Sequence, residues 1–385
     1  MAETNQVKRQ LGRREWNRQR AVETGRVFLW NGCCRIANPT VRVPGYKPGT
    51  AGDRPLKSTI RSHAFKYGFL ILTFFFLKLH GYSQDQSLQE FKRYCLGRVE
   101  IDSIADLKSQ IKLWKALGKQ FTTRTDYYYL SETYAALGIV DSCAKYLKIA
   151  ANLGLRFLIV NGDTSFLDND PWKLLRTRYK NWQDLKGHID RNAAAYPSKK
   201  NCSSEKLDLY KSLLLGSGDK DQFFRSNRKK TMDSLGTISE DSLWKTQITN
   251  DQKNQKILRS ILEDIGWPSI ECFSSEERNN AWLIAQHADN DVQFQIYCIQ
   301  KMFEKWKSSE IQPIHVVYLY DRIEVNSGRK QLFGTQFILR KKEAKIEPKP
   351  LEYDYKITNK CRKVFGLPSL ESYLDQSLNL MQKKN

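Results

Sequence analysis

Asn280-Ala-Trp-Leu-Ile-Ala-Gln-His287-Ala-Asp289-Asn-Asp291-Val-Gln-Phe294-Gln295 joins two amphipathic runs at a polar corner. Ala281, Leu283, Ile284 and Ala288 fall on one face at helical spacing, and a second apolar run begins at Val292. Between them lie three ionisable groups, His287, Asp289 and Asp291. Ser274-Ser-Glu-Glu277 supplies a capping box that starts the first helix, and either Asp289 or Asp291 would cap the second. A helix-to-helix corner of this kind places the fold in the mainly helical class.

Outward from the corner, the pattern stays helical. The polar, charged stretch Leu207 to Ile265 reads as one long helical segment that stops at Gly266-Trp267-Pro268. On the other side, Pro313 opens a helix holding Val317, Tyr318 and Leu319, which closes on Asp321-Arg322. Gln331 to Leu339 alternates as a short strand or hairpin arm, and the Lys/Glu/Pro-rich segment 340–350 reads as a surface loop. Gly366-Leu-Pro368 precedes a closing helix.

Nearer the N-terminus, Asp126 to Gly138 and Asp141 to Ala150 form two amphipathic segments around a very short turn. Tyr134, Gly138, Cys143, Leu147 and Ala150 resemble the tetratricopeptide pattern, in which small residues let antiparallel helices approach. Cys143 stands where alanine is usual, so packing rather than reactivity is its expected role. Such a unit needs neighbours to bury its core, so 95–123 and 165–191 are expected to supply flanking helices, the latter with Asp170 as N-cap and Pro171 at the first helical position. The polar break from Ala195 to Ser204 divides a tetratricopeptide-like region, 88–195, from a mostly helical α+β domain with a short β-hairpin, 205–380.

The chain's formal charge of +21 is unevenly distributed. Residues 1–66 hold 14 Lys/Arg against 4 Asp/Glu, whereas 84–385 hold 48 against 38. Residues 1–64 read as a basic, disordered leader, or as an upstream extension of the frame. Phe69 to Leu77 is too short for a bilayer span of roughly 20 residues but fits the apolar core of a secretory signal over 65–83. Arg61 and Lys66 flank it, and Gly81 and Ser83 place small residues before a cut at Gln84. The expected location is therefore outside the cytoplasm, in a bacterial periplasm. The alternative is an inner-membrane signal-anchor, with membrane contact only through 67–79. Six cysteines follow the cut, none in a C-x-x-C pair; an oxidising compartment allows disulfides but leaves their pairing open. Nucleic-acid binding is not expected, since the aromatics alternate with apolar positions as core residues do.

Gly266-Trp-Pro268, Ala281 through Gln295, Tyr318-Leu-Tyr-Asp321-Arg322, Gly328 through Gln336 and Gly366-Leu-Pro368 with Tyr373 together resemble domain-of-unknown-function family 6624 over about 205–376. Phe333 departs from that family's Tyr before Gly-Thr-Gln, and Tyr353-Asp-Tyr-Lys replaces its Asp-Pro step. The resemblance implies a domain and no activity.

The polar residues expected to gather are His287, Asp321 and Arg322 as catalytic candidates, and Gln286, Gln331, Gln336 and Tyr318 as ligand-binding ones. His287 would serve as a general base because its pKa lies near neutrality. Asp289 and Asp291 with His287 would suit a divalent metal, with Asp321 as the distant carboxylate. Arg322 and the glutamines would hold an anionic or amide ligand through planar hydrogen bonds. A structural reading stands beside each: a helix-terminal imidazole, an N-cap, an ion pair, glutamines that tie down a hairpin. No G-x-S-x-G, Walker A, H-E-x-x-H or dinucleotide glycine motif occurs. Two functions follow: a protein-binding or assembly module of the cell envelope, engaging a protein partner through its helical scaffold, or a metal-assisted hydrolase at His287/Asp289/Asp321.

Overall fold

A computed structural model describes residues 86–117, 121–154, 172–194, 202, 204–235, 240–308, 310–340 and 345–382. The leader, the signal segment, Asp170 and Pro171 lie outside these residues. Thirteen helices and one two-stranded sheet make up the described fold, which is mainly α as the sequence patterning implies. Among the described residues, no helix is long and apolar enough to cross a membrane.

Helix α1 (86–103) buries Leu88, Phe91, Tyr94, Cys95, Arg98 and Ile101 at helical spacing. It is followed by α2 (Leu107–Ala116), whose N-cap Asp106 accepts from Ser109 N at 2.8 Å. The two amphipathic segments either side of Gly138 form α3 (Arg124–Ala136) and α4 (Val140–Asn152), packed against each other as a hairpin. Thr123 and Asp126 form a reciprocal capping box at the start of α3. Gly138 makes the turn at φ +72°, a conformation that costs side-chain-bearing residues energy. Cys143 is buried beside Ser131, and burial pushes its thiol up to about 11, which matches packing rather than reactivity. Helices α5 (Lys173–Arg178) and α6 (Trp182–Ala194) complete a small core with Trp172, Leu175, Trp182 and Ile189.

The stretch read as one helix is two, α7 (Glu205–Leu235) and α8 (Glu240–Ile265). They run antiparallel: Lys206 and Tyr210 reach Asp264, Asn254 reaches the Ser217 carbonyl, and Arg225 reaches Asp251. The sequence carried the signal in Gly236, a residue that disfavours helix, followed by Ser239-Glu-Asp at a new start. A disulfide joins Cys202, just before α7, to Cys272, just before the corner helix.

Helix α9 (Ser275–Gln286) begins at the expected Ser274/Glu277 capping box. Asp291, not Asp289, caps α10 (Val292–Glu304) by accepting from Phe294 N at 2.9 Å. Helix α11 (Pro313–Asn326) starts at Pro313 as read. Strand β1 (Phe337–Arg340) is shorter than the alternation of 331–339 implies; Gln331 makes only an isolated bridge to Leu351. Segment 340–350 is not simply a loop, because it contains β2 (Lys345–Pro348), antiparallel to β1. Ile346 points inward there while Glu347 pairs with Arg340 and Lys345, so the charged positions decorate a strand. Helices α12 (Tyr355–Val364) and α13 (Leu370–Gln382) close the chain.

The larger core contains α9, α10, α11 and the apolar face of α8, but also Leu88, Phe91, Tyr94 and Cys95 of α1. Phe91 is its aromatic centre, with Phe303 at 5.2 Å, Tyr320 at 5.4 Å and Trp306 at 5.6 Å between ring centroids. Because α1 also places Ile101 in the smaller core, this one helix belongs to both. Asp126 reinforces the join, accepting from Tyr94 Oη at 2.7 Å and pairing with Arg98.

Candidate functional site

The corner is built where α7 crosses α9. Gly218 permits that crossing: a Cβ there would lie 2.2 Å from the Asn280 side chain. One turn further along α7, Asp221 meets His287, the C-cap of α9, with Nδ1 2.7 Å from Asp221 Oδ1. Both side chains are only 1% exposed, so the pair is closed to bulk solvent. Arg225 contacts Asp221 at 2.6 Å and forks onto Asp251 of α8 at 3.1 and 2.8 Å. Gln247 donates to Asp251 at 2.7 Å, and Gln222 donates to Asp221 at 2.5 Å.

Burial holds the His287 imidazole below its ordinary pKa, against the opposing pull of Asp221. At neutral pH the ring is therefore uncharged and donates its Nδ1 proton to Asp221. Burial works against the charge of Asp221 too, yet His287 and Arg225 keep its carboxyl below the usual range.

On the other side of the corner, Arg322 forks onto Asp289 with Nε–Oδ1 2.6 Å and Nη2–Oδ2 2.5 Å. Asn326 Nδ2 donates both to Asp289, at 2.9 Å, and to Gln295, at 3.0 Å. Gln295 in turn donates to the Ala285 and Gln286 carbonyls at the end of α9. Burial is the largest single influence on the Asp289 carboxyl and pushes it up, but the charge and hydrogen bonds of Arg322 together with Asn326 outweigh it and hold the group well below the carboxylate range.

Asp321 faces a different neighbour. Its two oxygens accept from the backbone N–H groups of Leu332, Phe333 and Thr335 at 2.9, 3.0 and 2.8 Å. It is fully buried, and burial pushes its pKa up to about 6 despite those donors. Gln331, also fully buried, donates to the Gln336 and Lys349 carbonyls and accepts from Gln336 N. The Gln336 side chain turns back to Thr335. Tyr318 packs edge-on against Trp282 and Tyr373.

The structure thus brings His287, Arg322 and Asp289 to one corner but places Asp321, Gln331 and Gln336 in the support of the 331–336 turn. The expected His287/Asp289/Asp291 metal set is corrected: Asp289 is committed to Arg322 and Asn326, while Asp291 caps α10 and lies 3.6 Å from Arg259. Among the described residues, no group of three His, Cys, Asp or Glu side chains is placed to hold a metal ion. Gln286 is buried, and its Nε2 finds no hydrogen-bond partner among them.

Sequence reasoning missed Asp221, Arg225 and Asp251, because α7 and α8 read as solvated charged helices. Their spacing held a signal. Leu243, Gln247, Asp251, Asn254, Leu258 and Ile261 follow one helical stripe, with polar residues where burial continues. Leu214, Ser217, Asp221 and Arg225 do the same on α7. An oriented imidazole of this kind is chemically suited to proton transfer, but here it is sealed by its partners. Compared with protein-family models, curated proteins and solved structures, the chain finds no match.

Proposed function

We propose that this is an exported cell-envelope protein that binds a protein partner through the helical scaffold of α1–α6. The observation that carries this reading is the closure of the corner: His287 and Asp321 are withdrawn from solvent and committed to protein partners. The general-base chemistry of a hydrolase needs a substrate within reach of its base. The scaffold offers a half-buried aromatic face instead, at Tyr127 and Tyr146. The Cys202–Cys272 disulfide supports export, because such bonds persist in oxidising compartments. The rival reading, a metal-assisted hydrolase at His287, Asp289 and Asp321, has less support, since the three side chains are bound to separate partners.

The test is site-specific photocrosslinking of the full chain in its native cell. A benzophenone amino acid at exposed Lys112 of α2 is expected to give a discrete protein adduct in the envelope fraction. The same group at exposed Lys360 of α12 serves as the comparison and gives none. Recovery of the chain in the cytoplasm, or no adduct at Lys112, contradicts the reading.

A further inference from the structure

Strand β1 carries an apolar residue where its neighbours are charged. Ile338 is 45% exposed, on the face it shares with Arg340, Lys345 and Glu347. The opposite face, with Phe337, Leu339 and Ile346, packs over Tyr373, Leu374, Leu378 and Met381 of α13. Phe337, Leu339, Leu378 and Met381 are themselves only half-buried, so this apolar layer is left partly uncovered.

The hydrogen-bond pattern of the hairpin fixes which backbone groups point outward. Lys349 N donates to the Gln336 carbonyl at 2.9 Å, one step beyond the Phe337–Pro348 pair. Bonded pairs alternate along an antiparallel ladder, so Ile338–Glu347 and Arg340–Lys345 are the bonded pairs within it. The N–H and C=O groups of Phe337 and Leu339 therefore face away from β2, and among the described residues nothing bonds them. The outer edge of β2 presents Ile346 and Pro348, and Pro348 has no N–H to offer. One edge is open and the other is blunted, which permits pairing between two chains and opposes a fibre.

The open edge is complementary to a second copy of itself. Antiparallel pairing about a two-fold axis at Ile338 sets Phe337 opposite Leu339 of the second copy, and the reverse. Each such pair exchanges two backbone bonds, so every outward group of both strands finds a partner. Ile338 then lies against its own counterpart in the close, non-bonded position. Arg340, already paired with Glu347 at 2.7 Å, falls opposite the uncharged Gln336. A register centred on Leu339 would instead set Ile338 against Arg340 of the second copy, apolar against cation.

We propose that the β1 edge joins two copies of this chain into one continuous antiparallel sheet centred on Ile338. The contact does not draw on the α1–α6 scaffold. Its seam is only 4 residues long, so the dimer is weak and dissociates on dilution.

Sedimentation equilibrium of the full chain tests the pairing. The wild type is expected to move from one chain mass to two as concentration rises. Ile338→Lys should weaken association about tenfold or more, because it opposes like charges across the axis. Ile338→Cys reads the geometry, since a Cα separation of about 4.5 Å suits a disulfide. A mild oxidant should link that variant as a covalent dimer. Arg340→Cys should not link, its two copies lying roughly 14 Å apart along the seam. Wild type oxidised alongside reports any bond through Cys33 or Cys34; the cysteines of the described residues are buried or already paired. Melting curves identify a variant that fails to fold, and the cysteine variants, both at exposed positions, keep the comparison decisive. A wild type that stays monomeric at every concentration overturns the inference, as does undiminished association of Ile338→Lys. Linkage of Arg340→Cys as strong as that of Ile338→Cys overturns it too. So does a monomeric chain whose Ile338→Cys variant links to a different protein in a cell lysate, which would give the edge to another chain.

Discussion

His287 and Asp221, 66 positions apart in the chain, meet at 2.7 Å in the interior, each side chain 1% exposed. The pair fastens the α7–α8 hairpin to the corner helix α9. Arg225 extends the fastening to Asp251, so three helices share one polar cluster.

Replacing Asp221 by Ala leaves His287 buried without its acceptor and the half-buried Arg225 with Asp251 alone. Breaking a buried charged network from one side typically costs about 3–5 kcal/mol. Urea denaturation of Asp221→Ala should show a loss of that size, with Asp221→Asn losing less because its amide oxygen still accepts. A loss below about 1 kcal/mol, the scale of an exposed pair, would place the cluster at the surface instead.

The pH dependence of melting separates two buried groups of opposite sign. Burial holds His287 below its ordinary 6.5, so the unfolded ring takes up a proton that the folded one declines. The unfolded state binds more protons in that window, and stability falls as pH drops below 6.5. Asp321 runs the other way: burial raises it from 3.8 to about 6, so the folded state keeps a proton that the unfolded one releases. Its effect is a loss of stability as pH rises from 3.8 to about 6. His287→Gln should lessen the first slope, which His315, also held low by burial, shares, and Asp321→Asn should lessen the second, which Asp251 shares. Unchanged slopes in both variants would contradict the assignment.

Two glycines with the same backbone angle should respond differently to alanine. Gly334 has φ +70°, and a Cβ there would meet Leu370 at 2.7 Å; Gly138 has φ +72° with open space around it. Strained left-handed residues cost about 1–3 kcal/mol. Gly138→Ala should fall at the low end of that range and Gly334→Ala at or above its top, as measured by chemical denaturation. Equal losses would mean that the 331–336 turn yields to the added methyl group.

The disulfide closes a span of 70 residues between Cys202 and Cys272. Chain-entropy reasoning gives about 4 kcal/mol for a loop of this length. The Cys202→Ser, Cys272→Ser double variant should lose most of that amount, and thiol labelling of the native wild type should leave both residues unmodified. Labelling at Cys202 or Cys272 in the native protein would contradict the pairing.

Elements with strong local signals were legible in the sequence. The Ser274/Glu277 capping box, Pro313 at a first helical position and Gly138 between two amphipathic runs each specify backbone locally, and each is present. Long-range pairings were not. Asp221 lies far from His287 in sequence, and its helix reads as solvated because its buried stripe is polar. Asp321 looked like the distant carboxylate that a metal set at His287, Asp289 and Asp291 would need. Its oxygens instead organise a turn more than ten residues ahead, a role that depends on backbone geometry no side-chain pattern records. The β2 strand was hidden by its charged residues, of which Glu347 pairs across the hairpin with Arg340 and along the strand with Lys345.

The central claim is that the polar corner is a closed structural network. Elemental analysis of the full chain purified without chelator, beside melting curves for His287→Ala and Asp321→Ala, tests it most directly. The predicted result is no stoichiometric metal in the wild type, with both variants melting several degrees lower. One metal ion per chain, lost in both variants while melting is unchanged, would contradict the claim and make the corner a metal site.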